Sequence, residues 1–263
     1  MEKISEKKRI VVKVGTSTLT HRTGMLNIRR VEQLVKTLAD LQNSGYEVIL
    51  VSSGAIGLGM GKLGLREKPK DTPGKQACAA VGQCELMYLY DNLFSEYSIT
   101  VAQMLLTKYI LLEDRRKNVE NAMERLVSQR VIPIINENDT VAIDELELEV
   151  GENDSLAAIV AKIAKADLLI IMSDIDGLYD KDPHKADDAK LIPVVHEITD
   201  DIRALAGGAG TKLGTGGMIT KINAVEIAYE ADIDVVLMNG QHPKALYDLF
   251  DDKQVGTIFS KLK

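Results

Sequence analysis

The sequence predicts an α/β protein built on a parallel sheet, and three observations carry this. Short apolar runs, RIVVKV at 9–14, EVILV at 47–51, VIPII at 131–135 and LLIIM at 168–172, have the length and unbroken hydrophobicity of strands buried on both faces. Stretches of helical period lie between them, the βαβ order of a parallel sheet. Each run also gives way to small polar residues, and open α/β sheets bind ligands beyond the carboxyl ends of their strands.

The first strand, Arg9 to Val14, contains Lys13 and ends in Gly15-Thr16-Ser17. Fully buried lysines are rare unless paired. Lys13 therefore either points to water from an edge strand or reaches across the end of a central strand to an anion. An amphipathic helix follows over 27–44, capped by Asn27, with Ile28, Val31, Leu34, Val35, Leu38 and Leu41 as its apolar stripe and Gly45 as its stop. The second strand, Glu47 to Val51, ends in Ser52-Ser53-Gly54-Ala55. Gly57, Gly59 and Gly61 come next, but they start away from the strand end and lack the full GxGxxG, so they do not read as a dinucleotide fingerprint.

Residues 66–72, REKPKDT, form a charged loop, and Pro73 fits the first turn of a long helix to about Glu96. A strand over 99–106 and a charged helix over 113–130 lead to the run 131–135. That run stops at Asn136-Glu137-Asn138-Asp139, and Gly151-Glu152-Asn153-Asp154 precedes a helix completed by Ala166. Such clusters build turns and N-caps, but they can also grip a zwitterion, with amide donors for its carboxylates and acid acceptors for its ammonium. Residues 141–150 alternate apolar and acidic side chains, and 136–154 read as a flap over a site. The strand 167–172 ends in Ser173-Asp174, and a loop with a short hairpin spans 180–196. Residues 207–221, GGAGTKLGTGGMITK, hold six glycines in their first eleven positions. Backbone N–H groups of such a segment can wrap phosphate oxygens, and the helix from Met218 to Ala231 starts just beyond. Lys221 sits in its first turn, where a cation is unfavourable unless something anionic faces it. Strand 233–238, helix 243–250 and strand 256–260 close the chain.

Composition bounds the partners. With 263 residues, 45% of them hydrophobic, the chain can build one large domain or two modest ones. A net charge of −7 and a pI of about 5.3 give no electrostatic reason to expect nucleic acid. No apolar run approaches the roughly 20 residues of a membrane span, and the polar start MEKISEKKRI lacks the apolar middle of a signal peptide. Cys78 and Cys84 fall on one helix, about 9 Å apart along its axis, so a disulfide between them is not expected. Unpaired cysteines point to a reducing compartment and a cytoplasmic location. His21, His184, His196 and His242 show no metal-site spacing.

Taken together, the segments 13–19 (KVGTSTL), 52–56 (SSGAI), 136–139 (NEND), 151–154 (GEND) and 213–221 (LGTGGMITK) resemble the amino acid kinase family. Relatives that act on other substrates usually carry paired glycines or Ser-Gly where this chain has KVGTS. The resemblance implies a three-layer αβα sandwich with a mostly parallel sheet of roughly eight strands, in a single kinase domain over 1–263. Its N-terminal part would bind the amino acid and its C-terminal part the nucleotide. It implies transfer of the ATP γ-phosphoryl group to the side-chain carboxylate of L-glutamate, the first step toward proline, with Mg2+ bridging phosphate oxygens mainly through water. By resemblance, Lys13 and Lys221 contact the transferring group and Asp154 holds both lysines. Ser53, Gly54, Asn136, Asp139 and Asn153 would hold glutamate. Lys13, Gly15, Ser173, Asp174, Thr215, Gly216, Gly217, Met218, Ile219, Thr220 and Lys221 would line the nucleotide site. Proline is implied as a feedback inhibitor and a homo-oligomer, dimer or tetramer, as the assembly.

Two small departures stand out: Ser173-Asp174 replaces a common Thr-Asp pair, and Ile219 stands where Ser is frequent. Many members that act on glutamate also carry a C-terminal RNA-binding-like domain that is not in this sequence, so functions tied to it are not carried over. Two other readings remain: a family kinase acting on N-acetylglutamate or carbamate, and a non-catalytic nucleotide sensor on the same fold.

Overall fold

The computed structural model describes residues 3–21, 25–107, 112–141, 153–183, 185–207 and 217–261. Its elements in chain order are β1 (Arg9–Val14), α1 (Thr16–Leu19), α2 (Ile28–Asn43), β2 (Glu47–Val51), α3 (Ala55–Lys62), α4 (Thr72–Ser95), β3 (Val101–Leu106), α5 (Glu113–Ser128), β4 (Ile132–Glu137), α6 (Asn153–Ala164), β5 (Leu168–Ser173), β6 (Val194–Val195), α7 (Asp200–Gly207), α8 (Met218–Tyr229), β7 (Asp234–Asn239), α9 (Ala245–Phe250) and β8 (Thr257–Phe259). The strands form one eight-stranded sheet in the order β3-β4-β2-β1-β5-β7-β8-β6. Every pairing in it is parallel except β7 with β8.

Alternation along the strands divides the core. Val11, Ile49, Val51, Ile135, Leu169, Ile171, Val235 and Leu237 pack with residues of α5, α6 and α8. Ile10, Val12, Val48, Leu50, Ile134, Ile170 and Val236 face the opposite way and pack with α2, α4 and α9. The result is helix, sheet, helix, the three-layer arrangement expected. The same two-residue period puts Lys13 on the face of Val11, under α6 and α8. Because β1 lies between β2 and β5, the edge-strand reading of Lys13 is wrong.

Most boundaries fall within two residues of those the sequence predicts. Asn27 caps α2 by accepting from the Arg30 N–H, and Asp71 caps α4 by accepting from Gly74. Ile28, placed in the apolar stripe of α2, is instead 61% exposed. The helices α1, α3 and α7 were not foreseen. The expected flap lies outside the described residues over 142–152, as does most of the glycine-rich segment, 208–216.

α3 contains the three discounted glycines, and the middle one, Gly59, is a packing residue. A Cβ on Gly59 would lie 1.8 Å from the Cys78 carbonyl oxygen of α4. One on Gly82 of α4 would lie 1.7 Å from the Ala55 carbonyl oxygen. The two helices thus cross with their backbones in contact, which only glycine at both positions allows. Gly82→Ala must push α3 and α4 apart, and we expect it to cost about 2 kcal/mol, lowering Tm by roughly 4–8 °C. Gly61→Ala is the control, because a Cβ there meets nothing within 4 Å. Equal melting temperatures for the two variants would overturn the packing account.

Candidate active site

β1 continues into β2 on one side, while the later strand β5 pairs with its other side. The carboxyl ends of β1 and β5 therefore form a topological switch point, where an open α/β sheet leaves a crevice. A cavity of about 580 Å³ opens there, lined along the ends of β4, β2, β1 and β5 and by the first turns of α6 and α8.

At its floor three charges meet. Asp154, in the first turn of α6, is 2% exposed. Lys13 Nζ lies 2.6 Å from Asp154 Oδ1, an ion pair. Lys221 Nζ, in the first turn of α8, donates to Oδ2 at 3.2 Å. Burial works to raise the Asp154 pKa, but Lys13 and Lys221 outweigh it and hold the carboxyl below its ordinary range. Asp154 is thus ionised and is the anion that tolerates Lys221 at a helix N-terminus. The Thr220 hydroxyl bonds the Gly217 carbonyl at 2.8 Å and stands 3.3 Å from Oδ2.

A second cluster sits on the side of β2 and β4. Asn153 Nδ2 donates to the Ser52 carbonyl at 3.2 Å and to Ser53 Oγ. Gly54 caps α3 at φ 93°, a left-handed conformation that favours glycine. Asn136 is buried at the end of β4, with Oδ1 accepting from the Glu137 N–H at 2.9 Å. Asp139 is half-buried, and its pKa is raised by desolvation, with Lys68 opposing only in part. It has no ion-pair partner among the described residues. On the side of β5, the Ser173 hydroxyl donates to Asp174 at 3.1 Å.

Lys13, Gly15, Ser53, Gly54, Asn136, Asp139, Asn153, Asp154, Ser173, Asp174 and Lys221 therefore line one cavity. Gly217, Met218, Ile219 and Thr220 lie at the start of α8 but are not among its lining residues. Met218 packs against the core and Ile219 is 38% exposed. Thr215 and Gly216 fall outside the described residues. Nine further residues line it, Thr16, Ser17, Ala55, Ile56, Gly57, Met60, Lys68, Glu137 and Met172, and two of these come from outside the strand-end clusters. Lys68 comes from the charged loop 66–72, and Met60 from α3. Neither carries a local signal, since only the fold brings them to the strand ends.

The cavity can take an anion against its two lysines and, beside it, a group carrying both positive and negative charge. The chain is 54% identical over 263 residues to the glutamate 5-kinase of Clostridium tetani, covering 100% of this chain and 98% of that one. It is 52% identical over 256 residues to the glutamate 5-kinase of Caldanaerobacter subterraneus, covering 97% of this chain and 68% of the longer relative. The UMP kinase of Ureaplasma parvum shares the fold at a TM-score of 0.66 and 18% identity, over 97% of this chain and 100% of that one. The model of the amino acid kinase family matches residues 8–239, from the start of β1 to the end of β7. That span contains every strand and helix that reaches the cavity, and the chain belongs to the amino acid kinase family.

Proposed function

We propose that the chain phosphorylates the side-chain carboxylate of L-glutamate with ATP, the activity its relatives are named for, giving L-glutamyl 5-phosphate and ADP and opening proline biosynthesis. The observation that carries this reading is the Lys13–Asp154–Lys221 cluster on the cavity floor, with Asp139, which has no ion-pair partner among the described residues, lining the same cavity.

A glutamate side chain is ionised at neutral pH, so the acceptor needs no base to activate it. The obstacle is repulsion between two anions and the need to hold them in line. One carboxylate oxygen bonds the γ-phosphorus as the bond to the β,γ-bridging oxygen breaks, and ADP leaves with the electron pair. Lys13 and Lys221 meet the charge on the transferring group, and Asp154 fixes where they point without taking a proton. Ser53, Gly54, Asn136, Asp139 and Asn153 hold glutamate, on the part of the chain up to the start of α6. Ser173, Asp174 and the segment from Thr215 to Lys221 hold the nucleotide, on the part after it. Both parts belong to one domain over 1–263.

Gly15 fits a phosphate, because a Cβ there would stand 3.7 Å from Lys13 Nζ, in the space above the ammonium. Mg2+ carried on the phosphates would supply further charge neutralisation. Among the described residues no three acidic, histidine or cysteine side chains cluster to hold an ion, so phosphate and water would supply its ligands. On the same reading the enzyme is a cytoplasmic homo-oligomer, with Cys78 and Cys84 as free thiols suited to a reducing compartment.

Three measurements test this. ADP release should depend on glutamate, and Lys221→Ala should cut turnover roughly 100-fold or more while raising the ATP requirement far less. Near-normal turnover in that variant would remove the assigned role.

Glutamate should be strongly preferred to N-acetylglutamate. A free ammonium gives the desolvated Asp139 a counter-charge, which an acetylated nitrogen cannot. Leaving that carboxylate unpaired costs ~4 kcal/mol, roughly a thousandfold in kcat/KM. Asp139→Asn should narrow the gap, and equal use of both substrates by the wild type would move the chain to another branch of the family.

Proline is also a zwitterion with an ammonium for Asp139, so it should inhibit by competition. Saturating glutamate should abolish the inhibition, and inhibition that persists would place proline elsewhere.

A further inference from the structure

We infer that Gln83, a residue outside the cavity, is a positioning residue that fixes which end of the Asn136 carboxamide faces the substrate. The inference rests on the reading of Asn136 as a glutamate contact.

Gln83 lies on the buried face of α4 and is 9% exposed, while Asn136 is 3% exposed. Their side chains meet at 2.9 Å, with Asn136 Nδ2 donating to Gln83 Oε1. The direction of that bond is dictated from one end of a chain of hydrogen bonds. The backbone N–H of Glu137 can only donate, and it does so to Asn136 Oδ1 at 2.9 Å. Oδ1 is therefore fixed, Nδ2 must occupy the other position, and its neighbour must be an acceptor. Gln83 supplies that acceptor. A carboxamide has two N–H donors, so one Nδ2 hydrogen remains for an acceptor in the cavity that Asn136 lines. For a substrate bearing carboxylates, a donor there is the correct polarity, and a flipped amide would present an oxygen instead.

Stability alone does not explain a glutamine here. Gln83 Nε2 is buried with no hydrogen-bond partner among the described residues. An apolar side chain of the same length would spare the protein that unmade bond. What methionine at 83 could not provide is the acceptor for Asn136. The same helix repeats the device two turns on, where Tyr90, wholly buried, bonds the hydroxyl of Ser52 at 2.9 Å beside the cavity residue Ser53. The buried face of α4 thus carries two polar groups, each bonded to a residue at the carboxyl end of a strand that bears the site.

The test is steady-state kinetics on the full chain with Gln83→Met, Gln83→Glu, Asn136→Ala and the double variant Gln83→Met/Asn136→Ala. Gln83→Met should raise the KM for glutamate about tenfold, leave the KM for ATP within about twofold and lower kcat little. Gln83→Glu keeps an acceptor oxygen and should recover most of that loss. Gln83→Met added to Asn136→Ala should change the glutamate KM no further, because Gln83 acts only through Asn136. A glutamate KM unchanged in Gln83→Met, a parallel rise in both KM values, or additive losses in the double variant would each overturn the inference. If Gln83→Met does not fold, Gln83→Glu decides, since a large rise in its glutamate KM would also overturn it. A wild type that releases no ADP with glutamate would instead sink the assigned reaction. The positioning role is then read from the Asn136 side-chain amide protons. They should exchange with solvent at least tenfold faster in Gln83→Met than in the wild type, and equal rates would overturn it.

Discussion

Two ammonium groups held on one buried carboxylate form the contact that the rest of this molecule serves. Lys13 comes from β1, Asp154 from α6 and Lys221 from α8, so the first strand and two distant helices must converge within a few ångströms. Taking ions out of water costs several kcal/mol each, which is why both ammoniums are held on a carboxylate. Placing the three charges on secondary-structure elements rather than on loops makes the cluster rigid, which is how a site stabilises developing charge without reorganising.

This arrangement fits a carboxylate acceptor better than a hydroxyl one. A hydroxyl must lose a proton as it attacks, and a site for it needs a base of matched pKa. Of the four acids that line the cavity, Glu137, Asp139, Asp154 and Asp174, the one that touches both lysines is Asp154. It is pinned between two cations that hold its pKa low, so it is a poor proton acceptor. On the proposed function, Asp154 organises charge on the phosphoryl side, and Asp139 meets the ammonium of the amino acid.

The frame of the fold was legible because its strands are buried on both faces and read as unbroken apolar runs ending in polar clusters. Lys13, Asp154 and Lys221 were legible as anomalies: a cation in a buried strand, a carboxylate at a helix start, a lysine at a helix N-terminus. What pairs them was not, since residues 13, 154 and 221 meet only through the sheet order. α3 was missed because three glycines in eight residues lower helix propensity, and it lies against α4 because Gly59 and Gly82 let the two backbones touch. α7 buries none of its residues, so no apolar stripe announced it. Lys68 read as ordinary loop charge, and Gln83 as an ordinary polar residue on a helix. Each takes its meaning from a neighbour more than 50 positions away in sequence.

The glycines show how internal packing can be separated from ligand space. Gly59 and Gly82 are required by the protein itself, because a Cβ on either would overlap a carbonyl of the facing helix. Gly54 is required by its backbone, at φ 93°. Gly15 is required by neither. Its φ is −85°, which any residue adopts, and a Cβ would make only ordinary contacts, 3.7 Å from Lys13 Nζ and 3.8 Å from Ser17 Oγ. A Cβ at 15 would be tolerated by its neighbours and would stand 3.7 Å from the buried Lys13 ammonium. On the proposed function, the reason for glycine at this position lies outside the protein's own packing, in the phosphates that approach Lys13.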